Sequence, residues 1–240
     1  MRATALRYRA RVATVPVYVE SGAKRAFAYA VEWPGWCRGG RDEASALRAL
    51  VEYAPRYARI VSPARLAFTP PRSVSGLRVV ERVAGTATTD FGTPGAKPRV
   101  DARPVSDADA KRLRIFLAAG WRAFDAAAAS ARGKTLAKGP RGGGRDLDAI
   151  VRHVRDAEAL YLGGLGWKWT NDARGERALT EATRAAVLAG LAASVRGEIP
   201  AKGPRGGVRW TARYFVRRLV WHAIDHAWEI QDRARATPAA

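Results

Sequence analysis

The three histidines of this chain are the residues whose types and spacing point most directly to chemistry. His222 and His226 are four residues apart in a stretch with strong helical character, and His153 lies on the apolar side of an earlier predicted helix. Positions i and i+4 of a helix share one face, about 5–6 Å apart at Cβ, so two imidazoles there can hold one ion. A third imidazole from a facing helix would complete an open, three-ligand site of the kind that catalytic metals use. Because the 240 residues contain no other histidine, we predict a shared metal site.

An all-imidazole ligand set indicates a divalent transition metal. Zinc is the first candidate, and nickel, iron and copper are alternatives, whereas calcium and magnesium prefer oxygen ligands. Asp156, Asp225 and Glu229 are close by in sequence and could orient the ring N–H groups. Each could equally be a surface acid, and Glu229 could also be a direct fourth ligand. The alternative for the histidines is that each is a core residue satisfied by a hydrogen bond.

The composition is that of a folded, strongly basic protein. Hydrophobic residues make up 48% of the chain, there are eight tryptophans, and the formal net charge is +20. Such a charge favours a polyanion partner, with weak nucleic-acid binding through the basic surface, because clustered cations release phosphate counterions. The alternative is compositional bias, since most arginines are dispersed. One region is crowded with them, at Arg205, Arg209, Arg213, Arg217 and Arg218.

Cysteine content and hydropathy bear on the compartment. Cys37 is the one cysteine, which excludes an internal disulfide and fits a reducing environment. It has no neighbouring histidine, so we expect a buried side chain and not a nucleophile. No apolar run approaches the ~20 residues that span a bilayer, and no apolar signal segment follows the basic N-terminus. We therefore expect a cytoplasmic protein with no membrane partner. The sequence leaves open whether it is a monomer or a dimer.

The order of predicted elements indicates an α+β protein. Residues 1–84 are expected to form a small α/β domain with strands at 15–19, 27–31 and 77–83 and a helix that Asp42 caps and Pro55 stops. Residues 85–105, rich in glycine, threonine and proline, are predicted to be a linker or an irregular crossing segment. Residues 106–240 are predicted to be a bundle of four helices.

The four helices have recognisable caps and apolar faces. We place their starts at Ser106, Asp146, Thr180 and Thr211, and their ends near Gly133, Leu162, Gly197 and Arg233. Both histidine-bearing helices are expected to turn their imidazoles toward the core. The two apolar faces contain Ile150, His153, Ala157 and Leu160, and Phe215, Leu219, His222, His226 and Ile230.

A short glycine-rich segment occurs twice, at residues 137–145 and 201–209, and each copy leads into a histidine-bearing helix. The copies could be anion cradles, because glycine loops expose backbone N–H groups at helix N-termini, or flexible connectors. Gly133-Lys134-Thr135 lacks the leading glycine of a nucleotide P-loop, since position 128 is Ala128. A P-loop is therefore excluded.

The C-terminal part resembles the DinB-like superfamily of metal-binding bundles. The resemblance covers about Ser106 to Arg233 and rests on Arg152-His153-Val154, Ala157-Glu158-Ala-Leu-Tyr161 and Trp221-His222-Ala-Ile-Asp-His226-Ala-Trp-Glu-Ile230. It implies an up-down-down-up bundle with His153, His222 and His226 as metal ligands. Family members often carry a glutamine and extra histidines near the last ligand, where this chain has Glu229 and Gln231.

The same resemblance implies a reaction, because the family includes transferases and isomerases that use mycothiol or bacillithiol. A metal-bound thiol would be deprotonated and would attack an electrophile at the bundle mouth. Arg152, Arg217 and Arg218 are candidates for holding acidic groups of the small-molecule substrates. The sequence offers no obvious general base.

The N-terminal part is similar to HicB-like antitoxin domains. The similarity rests on the first two predicted strands, on Glu32-Trp33-Pro34-Gly35-Trp36-Cys37, and on Gly40-Arg41-Asp42-Glu43-Ala44 at the start of a helix. Such modules bind toxins or serve as accessory domains. The alternative function is therefore a non-enzymatic module that binds nucleic acid or a partner protein. A third possibility is a bundle whose metal site is vestigial or only structural.

Overall fold

The computed structural model describes residues 14–139 and 144–235, and within them the predicted α+β class is confirmed. The described strands are β1 Val15–Ser21, β2 Ala26–Ala30, β3 Cys37–Gly40 and β4 Leu77–Ala84. The α-helices are α1 Glu43–Val61, α2 Ala87–Phe91, α3 Asp107–Ser130, α4 Leu147–Leu165, α5 Glu176–Val195 and α6 Ala212–Arg235. Short 3-10 turns lie at Ser62–Ala64, Val74–Gly76 and Arg99–Ala102.

The strands form one mixed sheet in the order β3-β2-β1-β4. Strand β2 is antiparallel to both of its neighbours, and β1 is parallel to β4. Strands β1 and β2 are buried on both faces: Val17 and Val19 pack toward α1, whereas Tyr18 and Tyr29 stack at 4.8 Å on the side of Trp221 in α6. The central strands are therefore covered by a helix on each side.

Helix α1 begins as predicted and ends later than predicted. The side chain of Asp42 accepts a hydrogen bond from Ser45 N at 2.7 Å, which confirms the cap. The predicted stop at Pro55 is wrong, because the helix continues to Val61. An interior proline costs about 3 kcal/mol, but the turn after it buries Tyr57, whose hydroxyl donates to Pro34 O at 2.8 Å. Tertiary packing of that turn keeps the helix intact.

The segment 85–105, predicted to be a linker or a crossing segment, is folded against the sheet. Glu20 of β1 is fully buried and accepts hydrogen bonds from the hydroxyl of Thr89 and from the backbone of Gly95 and Ala96. A single cluster of buried side chains includes residues of the sheet, α1, α3, α5 and α6. The parts on either side of this segment thus share a core, and their division into two domains stays a prediction.

The helices after residue 105 confirm three of the four predicted caps. Ser106 forms a capping box with Asp109, Asp146 accepts from Ala149 N at 2.7 Å, and Thr211 accepts from Tyr214 N at 3.2 Å. The remaining helix, α5, begins at Glu176, ahead of the predicted Thr180.

Helix α4 is longer than predicted, because it continues through Gly163 and Gly164 to Leu165. It ends at Gly166, which has a φ of 88° and donates to Leu162 O, the left-handed ending that glycine favours. Trp210 packs so closely on Gly164 that a Cβ atom there would lie 2.8 Å from the indole. Both glycines therefore belong to the helix, and Gly164 provides space for Trp210.

Helix α6 is the central element of the C-terminal part. It packs along α3, contacts α4 and α5, and touches the sheet through Trp221. It is buried almost throughout from Ala212 to Ile230, and its buried Arg217 and Arg218 are hydrogen-bonded to groups of neighbouring segments. Two of the three histidines therefore lie on the most enclosed helix.

Helix α5 is the one helix of the described residues that is long and apolar enough to cross a membrane, judged by length and composition alone. The sequence had predicted no apolar run of this length. Its side chains Val187 and Leu191 are buried in the core shared with α6. Core helices of folded proteins pass the same test, so this is weak evidence for a membrane span.

Candidate metal centre

Helices α4 and α6 bring the three histidines together, as their spacing predicted. Ile150 and Val154 of α4 pack on Ala223 and Ala227 of α6 in one apolar cluster. Because these apolar residues alternate with the histidines at helical spacing, their contact turns His153 toward His222 and His226. One nitrogen of each of the three rings lies within 4.8 Å of the others, a spacing that could hold a metal ion.

The distances between the ring nitrogens suit a bound cation. His222 Nε2 lies 3.2 Å from His153 Nε2 and 3.2 Å from His226 Nε2. Zinc bonds of about 2.0–2.1 Å in a tetrahedral site place two nitrogens about 3.3 Å apart. A ring nitrogen carries either one hydrogen or one lone pair, so His222 Nε2 can form an in-plane hydrogen bond to only one neighbour. A shared ion satisfies all three nitrogens at once.

The imidazoles of His222 and His153 are biased toward the neutral, ligating form. Burial lowers the pKa of His222 well below its ordinary value, and the charges of His226 and His153 lower it further. Burial and the charge of His226 also lower the pKa of His153. A neutral imidazole is the form that donates a lone pair to a metal.

Glu229 supports the site from outside the ring of Nε2 atoms. His226 Nδ1 donates to Glu229 Oε2 at 2.7 Å, and Arg233 Nη1 donates to the other carboxylate oxygen at 2.8 Å. Burial raises the pKa of Glu229, but the hydrogen bonds and charges of His226 and Arg233 outweigh it and hold that pKa below its ordinary value. A proton held on Nδ1 leaves the Nε2 lone pair of His226 free for a metal.

The other two predicted acids contact none of the histidines. Asp156 accepts from Arg155, and its side chain is 67% exposed. Asp225 accepts from Arg38 Nη1 at 3.1 Å and lies on the wall of the pocket described below. His222 Nδ1 is buried and has no hydrogen-bond partner among the described residues. Glu229 is thus the predicted acid that orients a ring.

The three predicted arginines do not line the site. Arg152 is exposed, and Arg217 is buried in a bidentate pair with Asp101, with Nε and Nη2 at 2.7 and 2.6 Å from its oxygens. Arg217 also donates to two carbonyl groups of the sheet side, which leaves no free donor edge for a substrate. Arg218 donates to Pro94 O and, at 3.2 Å, to the Tyr161 hydroxyl. Arg217 therefore has a structural role, and Arg218 supports Tyr161.

These contacts also affect the interpretation of the arginine-rich region at residues 205–218, which favoured a nucleic-acid partner. Within the crowded arginine region, Arg213 pairs with Asp109 at 2.7 Å, and Arg217 and Arg218 are buried. These three cations are held inside the fold and are not displayed together on its surface. Nucleic-acid binding stays a prediction that rests on the net charge of +20.

The histidines lie in a pocket of about 680 Å³. Its walls come from α4 and α6, from the segment 91–93 and from Arg38 of β3, so the N-terminal part contributes to it. The main wall residues are Arg38, Phe91, Arg145, Leu160, Tyr161, Trp221, Trp228 and Arg233. Arg38 and Phe91 carried no sequence signal, because they reach the pocket through long-range packing.

The two glycine-rich copies have different surroundings. Gly139, Gly144 and Arg145 of the first copy line the pocket, whereas its residues 140–143 lie outside the described part of the chain. The second copy forms a tight turn in which Gly203 N donates to Gly207 O at 2.8 Å, and none of its residues lines the pocket. The position of Arg145, directly before the cap of the His153 helix, was the signal in the sequence that could have identified it.

Cys37 is buried, as predicted. Burial raises the pKa of its thiol well above the ordinary value. A thiol that resists ionisation is a poor nucleophile. Cys37 is therefore a poor candidate for a nucleophile.

No known protein family, curated protein or solved structure matches this chain. The similarities to DinB-like bundles and HicB-like domains stay predictions that rest on the quoted residues. The function is therefore inferred from the geometry of the histidine pocket.

Proposed function

We propose that His153, His222 and His226 bind a divalent transition metal, with zinc as the first candidate. We further propose that the protein is a DinB-like, up-down-down-up bundle that acts as a thiol-dependent S-transferase or isomerase. The observation that carries the proposal is the convergence of three Nε2 atoms on the wall of an open pocket. The contacts of α6 with α3, α4 and α5 are those that such a bundle requires.

The number of ligands favours a reactive site over a structural one. Structural zinc sites are closed by four protein ligands, whereas reactive sites use three and keep a position for a small molecule. The fourth side chain near the ligands, Glu229, is occupied by His226 and Arg233. The pocket of about 680 Å³ has the volume of a small-molecule site.

The charges of the pocket favour a thiol over a water molecule as the nucleophile. Asp225, Glu229 and Asp232 line the pocket, and each is paired with an arginine. No unpaired carboxylate of the described residues is therefore available there as a general base. A bound metal ion lowers the pKa of a coordinated thiol, which starts near 8.5 and needs less help than water.

The protein's own residues orient the ligands and shape the site. Glu229 and Arg233 hold His226 in one tautomer, and Arg218 holds the Tyr161 hydroxyl beside the pocket. The Tyr161 ring lies 5.8 Å from the ring of His222. Trp221 and Trp228 add apolar walls that exclude water from a bound substrate.

The metal site is tested by metal analysis of protein purified without a histidine tag. We expect a single transition-metal ion per chain in the wild type and none in His222→Ala, with unchanged circular dichroism. Asp156→Asn is the matched control and should retain the metal, since Asp156 contacts none of the histidines. Metal content that His222→Ala leaves unchanged would overturn the site.

The thiol chemistry is tested on protein loaded with cobalt(II), which has visible absorption. Binding of a small thiol should produce a thiolate-to-cobalt charge-transfer band in the wild type. If the cobalt-loaded protein shows no such band with any of the thiols tested, the metal site stands and the transferase proposal is overturned.

A further inference from the structure

The charged residues that line the histidine pocket are almost all neutralised in pairs. Each pocket carboxylate has an arginine within 3.1 Å. The pairs are Asp225 with Arg38, Asp232 with Arg56, and Glu229 with Arg233. These pairs leave the pocket no unpaired negative charge among the described residues.

Arg145 is the exception among the cations that line the pocket. No acid of the described residues forms an ion pair with it, and its side chain is exposed. Its backbone is held firmly, because its carbonyl accepts from Arg233 Nη2 at 2.8 Å and the next residue caps α4. Arg145 therefore offers the pocket a guanidinium without an acidic partner among the described residues, on a backbone that is held in place.

The pocket also presents apolar side chains to solvent. Leu160 is 73% exposed and Phe91 is 75% exposed, and both line the pocket. Small-molecule pockets are lined mainly by apolar side chains, so Leu160 and Phe91 fit a ligand that has an apolar part. Trp221 and Trp228 extend this apolar lining toward the histidines.

We propose that the molecule bound in this pocket is a small organic acid, with its anionic group on Arg145 and its apolar part against Leu160 and Phe91. This inference rests on the proposed function for the identity of the site, and it adds the substrate class. Three neutral imidazoles leave the charge of a divalent ion uncompensated, so a loaded pocket favours an anion further. A guanidinium binds a carboxylate through two parallel hydrogen bonds, which gives selectivity over a neutral group of similar size.

The test compares matched thiols on the cobalt-loaded protein. The probes are 3-mercaptopropanoate and 6-mercaptohexanoate, which place a carboxylate at two distances from sulfur, and the hydroxyl thiols 3-mercaptopropanol and 6-mercaptohexanol. We expect at least one acid to bind about tenfold tighter than its hydroxyl partner, the ratio for a hydrogen bond to a charged group. Arg145→Gln should remove that preference and leave the affinity for the hydroxyl thiol unchanged.

Arg152→Gln is the matched control, because Arg152 is an exposed arginine on α4 outside the pocket. It should keep the preference, which separates a specific contact from a loss of general positive charge. Equal binding of acid and hydroxyl thiols by the wild type at both lengths would overturn the inference. A preference that persists in Arg145→Gln would also overturn it.

A second readout needs neither metal nor thiol. Hexanoate and hexanol are titrated into metal-free protein while the total tryptophan fluorescence is followed, to which Trp221 and Trp228 of the pocket contribute. Preferential binding of hexanoate that Arg145→Gln abolishes would support the organic-acid site even if no thiolate band forms. A thiolate band without any preference for acids would instead support the proposed function and overturn this inference.

Discussion

The hydrogen bond from His226 to Glu229 should set how tightly the site holds its metal. Glu229→Gln keeps the shape of the side chain and an acceptor oxygen, but removes the charge that faces Nδ1 at 2.7 Å. Loss of such a partner costs 10- to 100-fold in metal affinity, roughly. Because the glutamine can still accept a hydrogen bond, we expect about a tenfold loss, or about 1.4 kcal/mol. Glu229→Ala removes the acceptor and should approach about 100-fold, or about 2.7 kcal/mol.

The assay is a competition titration of zinc against a chromophoric chelator at one fixed pH. The control Asp156→Asn removes one negative charge, as Glu229→Gln does. Asp156 lies on α4, where it contacts Arg155 and no histidine. It should bind zinc with wild-type affinity. Circular dichroism of all variants checks that the helices are intact.

Two results would contradict this reasoning. Wild-type zinc affinity in both folded Glu229 variants would show that the carboxylate does not orient His226. An equal loss in Asp156→Asn would show that net charge, and not the hydrogen bond, controls affinity.

Two further predictions concern stability. Glu158 is buried, and burial raises its pKa to about 7 although Trp121 donates a hydrogen bond to it. In the unfolded chain the same carboxyl ionises near pH 4.5, whereas in the folded protein it keeps its proton until about pH 7. Its contribution to stability should therefore fall as pH rises from about 4.5 to about 7, by up to about 3 kcal/mol. The lowered pKa values of His222 and His153 act in the opposite direction over the same range, so the prediction concerns the difference between two proteins. In urea titrations, the stability of the wild type should fall over this range relative to that of Glu158→Gln, and an unchanged difference between the two would contradict the assignment. Arg217→Met leaves the buried carboxylate of Asp101 without its partner and should cost about 3–5 kcal/mol. Urea denaturation measures that loss of stability, and the zinc affinity should stay unchanged. A loss below about 1 kcal/mol would refute the structural role of Arg217.

Local signals in the sequence were sufficient for the starts of the long helices that have a side-chain cap, but not for the start of α5 at Glu176 or for some helix ends. Ser106, Asp146 and Thr211 cap their helices through hydrogen bonds that span three residues. Such contacts depend on a few neighbouring residues and can be recognised without a fold. The stop at Pro55 was wrong because its cost is offset by burial of the turn that follows it, which depends on distant residues.

Pairing between distant segments accounts for strand β3, which, like the short helix α2, was not predicted from the sequence. Strand β3, Cys37–Gly40, is short and half glycine, and it exists through its ladder with Ala26–Tyr29. A four-residue strand without alternation carries no periodic signal. Leu160 shows the same limit, since its helical spacing predicted burial, whereas it is 73% exposed on the pocket wall.

For the histidine site, the division follows from distance along the chain. Helical periodicity alone placed His222 and His226 on one face, and the apolar neighbours of His153 predicted that it would face them. The tertiary structure decided the pairing of Arg217 with Asp101 and the contributions of Arg38 and Phe91 to the pocket. It also decided that Arg145 has no acidic partner within residues 14–139 and 144–235. The spacing of the histidines and their apolar neighbours on each helix is set within one or two helical turns. The walls and the charge balance of a pocket depend instead on how remote elements pack.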